Sequence, residues 1–546
     1  MTLATFLIAL TIGLPLALLL ACTLRSVREN MLRLLPYAAL PALLAALFSI
    51  NAPALVLGNA RIPIAFALDV PGAILLGAAA ILWIAAGFYA ITEMRGRVDA
   101  GRFSVCWLMT LTGCMGVYLA ADMVSFYGLL ALLSVGASTL VMLDGTPRSQ
   151  NAAMIYLGIA LFAETFLLLA FVLLASITPD NSLWISDAAL ALADSSWRNI
   201  ILALLFIGFG IKAGLVPTHF FMPKAYTVAM IPVAAVVSGA VIKASILGLI
   251  RFLPQIALPD WGMAMAAIGL FGALYGVVIG LTQRNPKTIL AYSSVSQMGF
   301  IIAIIGMGIM VADESSRLAA AFYAARHVLA KGGLFLAVGV IAATSLRRYW
   351  LVFTPVILIA LSIAGLPFTG GALAKSVTKD IMGDGLAYTV ATMSSVATTL
   401  LMLHFLRTLT TTFLPESAAI APRGKSLPWL VLALASLVIP VAIYCFAPSQ
   451  NIADAFKPYA IWSALWPILL GALLALGLSR IKIRVPEITP GDIGSAMLNV
   501  LARPAQGIST AFVKMDAALG RWPLATITLL SLLLLFGVAI TLIGRI

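Results

Sequence analysis

The feature that most constrains this chain is a succession of apolar runs, each about 20 residues long, which continues almost from end to end. A helix needs about 20 apolar residues to cross the hydrocarbon core of a bilayer. Of the 546 residues, 62% are hydrophobic and only 10% are charged, whereas soluble domains carry about 25% charged residues. The sequence therefore predicts an all-α integral membrane protein with about 16 transmembrane helices.

Applied along the chain, the length criterion predicts an ordered series of spans. They lie near residues 3–23, 31–50, 70–92, 103–121, 123–143, 152–176, 199–229, 231–250, 260–282, 289–311, 316–343, 350–383, 386–410, 428–447, 460–479 and 523–543. The stretch 488–520 mixes apolar with charged residues and is too polar to span. We expect a short amphipathic helix on the membrane surface there.

Two of the predicted spans are too long and contain helix breakers. Span 199–229 contains Gly214-Leu215-Val216-Pro217, and span 350–383 contains Gly365-Leu366-Pro367 followed by Gly370-Gly371. Proline removes a helical hydrogen bond, and backbone groups freed in this way are tolerated in lipid only beside protein or a water-filled cavity. Each segment is therefore interpreted as one broken helix lining an internal pathway. Two ordinary helices kinked for packing are the alternative.

The basic residues predict the orientation of the chain, because Lys and Arg are retained in cytoplasmic loops. With the spans above, most basic loops fall on one side, the acidic loop 178–198 falls on the other, and both termini lie outside the cytoplasm. The basic residues concerned are Arg25, Arg28, Arg33, Arg95, Arg97, Arg102, Arg284, Lys287, Arg347, Arg348, Arg423, Lys425, Arg480, Lys482 and Arg484.

The same count makes the two broken helices cross the membrane in opposite directions, as in an inverted-repeat transporter. The predicted parts are N-terminal helices over 1–102, a first half over 103–250, a second half over 260–410, and C-terminal helices over 411–546.

Charged residues inside apolar runs are the candidate functional groups. Lys212, Lys243, Lys331, Lys375 and Glu164 all lie within predicted spans. A charge at mid-bilayer costs at least about 2.5–3.5 kcal/mol, so such residues are by default functional. Burial disfavours the charged form of an amine and a nearby carboxylate favours it, so a buried lysine can load and release a proton.

Three further polar residues are weaker candidates. His327 lies one helical turn from Lys331, on the same face, and is assigned to the same path. His219 follows Pro217 and has either a pathway role or a local hydrogen bond. Asp122, at a helix start, is either an accessory group or a helix cap. A structural alternative stays open for single lysines, which can snorkel to the headgroups.

The composition argues against other kinds of site. Cys22, Cys106, Cys114 and Cys445 lie in apolar runs without metal-ligand spacing, and the three histidines are far apart, so no metal site is predicted. The net charge of +13 arises from short loops and not from a basic stripe with aromatics, so nucleic acid is not a predicted partner.

Five stretches carry a resemblance to a known family: residues 210–225, 238–251, 287–299, 327–336 and 365–375. They resemble the antiporter-like membrane subunits shared by respiratory complex I, Mrp-type sodium/proton antiporters and membrane-bound hydrogenases. The resemblance covers about residues 105–410 and implies an inverted-repeat channel in which Lys212, Lys243, Lys331 and Lys375 match proton-path positions.

The chain departs from the family pattern at the partner of the first lysine. The family places a glutamate on an earlier helix, and the matching position here is Ala131; a family histidine after the broken helix is replaced by Tyr226. Glu164, on the next helix, is the candidate replacement. Without a replacement, the first half-channel would be altered or silent.

The leading hypothesis is a proton- or cation-translocating subunit of a multisubunit complex in a bacterial-type cytoplasmic membrane. Such a complex would be an Mrp-type antiporter or a complex-I-like NADH dehydrogenase or hydrogenase, with other membrane subunits as partners and protons, or alternatively Na⁺, as the ion. The chain carries no redox-site or cofactor motif, so any enzymatic redox chemistry would belong to partners. The alternatives are a subunit that energises uptake of another substrate, such as inorganic carbon, and a non-conducting structural subunit.

Overall fold

The computed structural model describes residues 2–58, 63–344, 349–412, 421–446 and 452–480, together with Ile488 and Gly491. The predicted amphipathic segment 488–520 and the final span 523–543 therefore lie almost wholly outside the described residues. Both stay predictions.

The described part of the chain is a bundle of α-helices. The first seven helices and one hairpin are α1 (Leu3–Ala21), α2 (Arg25–Asn30), α3 (Leu40–Phe48), β1 (Leu55–Gly58), β2 (Pro63–Phe66), α4 (Val70–Met94), α5 (Ala100–Leu119), α6 (Met123–Met142) and α7 (Pro147–Ile177). The next eight helices are α8 (Ile185–Leu192), α9 (Arg198–Ala213), α10 (Phe221–Val228), α11 (Ile231–Val236), α12 (Lys243–Phe252), α13 (Pro259–Leu281), α14 (Pro286–Val311) and α15 (Ser315–Ala342). The last five are α16 (Tyr349–Ala364), α17 (Gly370–Met382), α18 (Leu386–Thr412), α19 (Arg423–Phe446) and α20 (Pro458–Arg480).

The predicted membrane class is confirmed. Within the described ranges, 13 helices are long and apolar enough to cross a bilayer, or up to 14 if one bent pair counts as a span. The predicted total of about 16 stays a prediction, because one predicted span lies outside these ranges and α16 and α17 are each short.

The span predicted near 31–50 is bent, and its place in the helix count stays a prediction. The chain there forms short helices over Arg25–Arg33 and Tyr37–Phe48 that meet at 80°. Pro36 lies at the bend, and proline disfavours helical backbone at the residue before it. Pro36 was visible in the sequence, but a prediction based on the length of the apolar run alone did not take it into account.

A small antiparallel hairpin also lay outside the predictions. Strands β1 and β2 pair from Leu55 with Phe66 to Gly58 with Pro63. Phe66 then forms an isolated bridge with Ala120, at the end of α5. The hairpin is too short to change the all-α class, and it ties the α3–α4 connection to the ends of α5 and α6.

Both predicted helix breaks are confirmed, and each has a glycine with positive φ at the end of its first helix. Gly214 after α9 has φ +74°, and Gly365 after α16 has φ +104°. In each case the amide of the next residue reaches back five positions, from Leu215 to Gly210 and from Leu366 to Leu361. This is the glycine C-cap that ends helices in soluble proteins, placed here inside a membrane segment.

The span predicted as one helix over 231–250 contains a π-helical turn over Val237–Val241, between α11 and α12. A π turn widens the helix by one residue and shifts its carbonyls out of the normal pattern. Every residue of the most apolar window in this span is buried, so the freed carbonyls need partners inside the protein.

Candidate functional site

The first candidate lysine forms a buried ion pair. Lys212, at the end of α9, has its Nζ 2.7 Å from Glu164 Oε1 of α7 and 2.7 Å from Ser134 Oγ of α6. The Ser134 hydroxyl in turn donates to Glu164 Oε1 at 2.6 Å. The lysine and glutamate side chains are only 10% and 3% exposed, so the charges are compensated by each other and by the serine.

A small cavity adjoins this triad. It holds about 30 Å³ and is lined by Ser134, Lys212, Tyr156 and Ser245, among others. A single water needs roughly 10–15 Å³ of such volume and several polar neighbours. The cavity therefore has room for a water or two between Lys212 and α12, which begins with the second candidate lysine.

The second lysine supports the π-helical turn. Lys243 is fully buried, and its Nζ donates to Ser238 O at 2.8 Å. The hydroxyl of Tyr118 donates to Ala240 O, in the same turn, at 2.6 Å. Because Lys243 hydrogen-bonds inside the bundle, it does not snorkel to the headgroups.

The third lysine lies on α15 with the histidine predicted to share its face. Lys331 is fully buried and its Nζ donates to Leu290 O of α14 at 2.9 Å. His327 is also fully buried, and neither of its ring nitrogens has a hydrogen-bond partner among the described residues. Buried polar atoms of this kind are normally satisfied by protein or ordered water, so they mark a position suited to water.

The fourth lysine lies against the second helix break. Lys375 of α17 donates from Nζ to Ala364 O, the last residue of α16. Gly365, which lies against this ammonium group, has φ +104°, a backbone conformation that residues with a side chain rarely adopt, and this explains why the position is glycine. The lysine therefore satisfies a carbonyl that the break leaves without its helical partner.

Several of these groups interact electrostatically across the interior. We use the name lysine row for Lys212, Lys243, Lys331 and Lys375. His327 interacts with both Lys243 and Lys331, and Arg326 interacts with Lys331 and Lys375. Since like charges repel strongly where the dielectric is low, charging one group disfavours charge on its neighbours.

Arg326 was missed by the sequence predictions. It is 1% exposed and lies 4.3 Å from the Tyr323 ring centroid, with Nη2 donating to Gln297 Oε1 and Nη1 to Ser362 O, both at 3.3 Å. The signal that could have revealed it was simple, because an arginine inside the apolar run 319–341 meets the same cost criterion as the lysines.

Ser134 was missed as well, and no simple signal marks it. Serine is common in membrane helices, and this one lies three residues after Ala131 on the same face of α6. Only the three-dimensional contact with Lys212 distinguishes it.

The two accessory candidates have mainly local contacts. The carboxylate of Asp122 caps α6 by accepting from Ser125 N at 2.8 Å, and it also accepts from Ala65 N of β2 at 2.7 Å. The ring of His219 is 1% exposed and packs edge-on against Tyr275, with centroids 4.9 Å apart. Neither residue contacts the lysine row.

A family model described as "NADH:quinone oxidoreductase/Mrp antiporter, TM" matches residues 120–403, which is more than half of the chain. The chain belongs to this family. The matched region contains all four lysines of the row, Glu164 and both helix breaks, so the resemblance drawn from sequence motifs is confirmed.

Several relatives in the family are components of membrane complexes. The chain is 33% identical over 325 residues to NADH-quinone oxidoreductase subunit N of Desulforudis audaxviator, covering 54% of this chain and 62% of that protein. It is 30% identical to the putative antiporter subunit mnhA2 of Staphylococcus saprophyticus, covering 57% and 42%. It is 29% identical to hydrogenase-4 component B of Escherichia coli, covering 48% and 41%. The matched stretch thus spans less than two thirds of each of these relatives.

Two solved structures share the fold of this family member. The Mrp complex from Dietzia sp. DQ12-45-1b contains a chain that matches with a TM-score of 0.70 at 20% identity, covering 86% of this chain and 99% of that one. A chain of an archaeal membrane-bound sulfane sulfur reductase matches with a TM-score of 0.69 at 19% identity, covering 98% and 100%. At these identities the likeness is one of fold.

Proposed function

We propose that this protein translocates protons across the membrane as one subunit of a multisubunit complex, either an Mrp-type antiporter or a complex-I-like machine. The observation that carries the proposal is the lysine row, in which Lys243 and Lys331 are fully buried and have backbone carbonyls as their hydrogen-bond acceptors. Among the described residues, neither ammonium group has a carboxylate partner. Burying such groups destabilises a protein, and their presence is explained if they exchange protons.

The row is suited to stepwise transfer. A charged lysine gives its proton to water or to His327, becomes a neutral amine, and leaves the next amine free to become charged. Because neighbouring charges repel, a proton arriving at one position favours release from the next. Lys212 differs from the others, since Glu164 stabilises its charged form. Breaking or protonating that pair would release the Lys212 proton toward Lys243.

Buried polar side chains on α14, α15 and α16 support a hydrated route. Ser293 and Ser296 of α14, Ser362 of α16 and His327 of α15 carry buried polar atoms with no hydrogen-bond partner among the described residues. The residues of the row favour protons over Na⁺ as the transported ion. A sodium site needs several oxygen ligands, and Glu164 is the only carboxylate at the lysine row among the described residues.

The domain division and orientation are part of the proposal. We infer two oppositely oriented halves, 103–250 and 260–410, each containing one broken helix, with 1–102 and 411–546 flanking them. Arg95, Arg284 and Arg423 would face the cytoplasm, and both termini would lie outside it. The membrane would be a bacterial-type cytoplasmic membrane.

Transport by the native complex, extracted in mild detergent and reconstituted into vesicles, tests the proposal. Lys243→Ala and Lys331→Ala should each abolish coupled proton transport while the complex still assembles. Lys457→Ala is the matched control, because this lysine is exposed and pairs with Asp454, three residues before it. Wild-type transport in both row variants, with normal assembly, would instead identify a structural subunit.

A further inference from the structure

A second cavity lies away from the lysine row, where the ends of α4, α14, α15 and α19 meet. It is an open cavity of about 390 Å³, and the polar residues among its lining are Tyr89, Glu93, Asn285, Lys287, Thr412 and Lys425. The connections next to these helix ends carry the basic residues that predict the cytoplasmic face. The cavity therefore lies at one end of the bundle and not in its middle.

An ion pair between two helices lines this cavity. Lys425 of α19 pairs with Glu93 of α4, and the two side chains are 21% and 22% exposed. Lys287 of α14 interacts electrostatically with Glu93 and with Asp144. The described residues of α15 and α18 that line the cavity carry no titratable group. Glu93, whose side chain is partly exposed, is thus the one carboxylate among the described lining residues, and it is held by cations.

The inner end of the cavity is formed by a tyrosine and a glycine. Tyr89 lies one helical turn from Glu93, is fully buried, and its hydroxyl has no hydrogen-bond partner among the described residues. A Cβ at Gly339 of α15 would come within 2.3 Å of that hydroxyl. The glycine therefore lets the tyrosine oxygen lie against α15, on the helix that carries Lys331.

The separation between this tyrosine and the lysine row is short. Gly339 and Lys331 are eight residues apart on α15, which corresponds to about 12 Å along a helix. Phe335 lies halfway between them on the same face and packs edge-on against Tyr226, with centroids 6.1 Å apart. One apolar layer thus separates the cavity from the third lysine of the row.

We propose that Glu93, held by Lys425, exchanges protons between the aqueous phase on this face and Lys331, by way of the Tyr89 hydroxyl. A proton from water binds the Glu93 carboxylate, and the resulting acid passes it to the Tyr89 hydroxyl, which releases its own proton in turn. Water that enters the Phe335 layer during transport carries that proton to the neutral amine of Lys331, and the Glu93 carboxylate is regenerated. The inference rests on the proposed function, because it requires that Lys331 accept protons.

Proton uptake by the native complex in inverted membrane vesicles tests this role, since the face carrying Arg95 and Arg423 is then expected to be outward. Glu93→Gln should slow uptake roughly tenfold at alkaline external pH, where protons are scarce, and should have little effect at acidic pH. A factor of about ten is the smallest effect that a local charge typically has on encounter rates. Glu93→Asp should restore most of the rate. Glu29→Gln is the matched control, because Glu29 belongs to an exposed pair with Arg25.

Tyr89→Phe keeps the ion pair and the ring under Lys425, so it tests the same route if Glu93→Gln fails to assemble. It should reproduce the pH-dependent loss. Equal loss at every pH, or wild-type uptake across the range in an assembled complex, would overturn the role of Glu93. Lys331→Ala, measured in parallel, separates the two proposals. If Lys331→Ala is inactive while Glu93→Gln transports normally, only the role of Glu93 is refuted. If Lys331→Ala is fully active, proton translocation through the lysine row is refuted.

Discussion

Glu164 Oε1 lies 2.7 Å from Lys212 Nζ, although the two residues lie on different helices, 48 positions apart in the chain. The resemblance to the antiporter-like family places the acid at position 131 of α6, where this chain has alanine. The carboxylate comes from α7 instead, and Ser134, one turn beyond Ala131, completes the contact. The missing glutamate therefore does not leave Lys212 unpaired.

The relocated pair predicts a rescue experiment. Glu164→Gln should cut proton transport by the assembled complex at least tenfold, because Lys212 loses the partner that stabilises its charged form; loss of one member of a buried pair costs about 3–5 kcal/mol. Adding Ala131→Glu to this variant should restore part of the rate, since position 131 shares a helix face with Ser134. The measurement is transport per assembled complex in vesicles. If the double variant is no better than Glu164→Gln, the carboxylate at 164 has a role beyond pairing with Lys212.

Ser134→Ala should slow transport without abolishing it. The substitution removes the hydroxyl that accepts from Lys212 and donates to Glu164, while the ion pair itself remains. Hydrogen bonds to charged groups contribute roughly 1.5–3 kcal/mol, so we expect a reduction of about tenfold. Ser134→Thr keeps the hydroxyl and should retain most of the rate. Equal rates for Ser134→Ala and the wild type would show that the serine only fills space.

The close packing at the second helix break predicts that adding one methyl group at Gly371 lowers the stability of the protein. A Cβ at Gly371 would lie 1.7 Å from Ser362 O, so Gly371→Ala must move the backbone of α16 or α17. Overpacking of this kind costs about 1–3 kcal/mol. Gly158→Ala is the matched control, because nothing lies within 4 Å of its Cβ and alanine is the better helix former. Thermal unfolding in detergent should show a lower Tm for the first variant only; similar Tm values for both would contradict the close approach.

Asp122→Asn and Asp122→Ala should separate a capping role from a proton-carrying one. The carboxylate accepts two backbone N–H groups, so alanine should destabilise the protein by about 1–3 kcal/mol, while asparagine, itself a good cap, should cost less. Transport per assembled complex should be unchanged in both. Loss of transport in a stable Asp122→Asn variant would move this residue into the proton path.

Much of the fold could be predicted from the sequence, because lipid imposes a length and a composition on every span. The same physics revealed the buried lysines and both breaks, because a proline or a charge inside an apolar run is energetically costly. The bend at Pro36, the paired strands β1 and β2 and the π turn before Lys243 were not predicted. They depend on local backbone geometry and on packing, which a hydropathy pattern averages away.

The site was predictable residue by residue but not as an arrangement. Glu164 and Lys212 were separate candidates, and only the packing of α7 against α9 made them a pair. Arg326 could have been found by the criterion applied to the lysines. Ser134 could not, because its importance comes from the distance to Lys212 and not from its chemical type.

The central claim is that water connects the ammonium groups of the lysine row, and it can be tested by imaging that water. A structure of the native complex at a resolution that shows ordered water should place density within hydrogen-bond distance of His327 and of Ser293, between Lys243 and Lys331. A dry, close-packed interior around His327, with both lysines bound only to Ser238 and Leu290 carbonyls, would contradict proton transfer along the row.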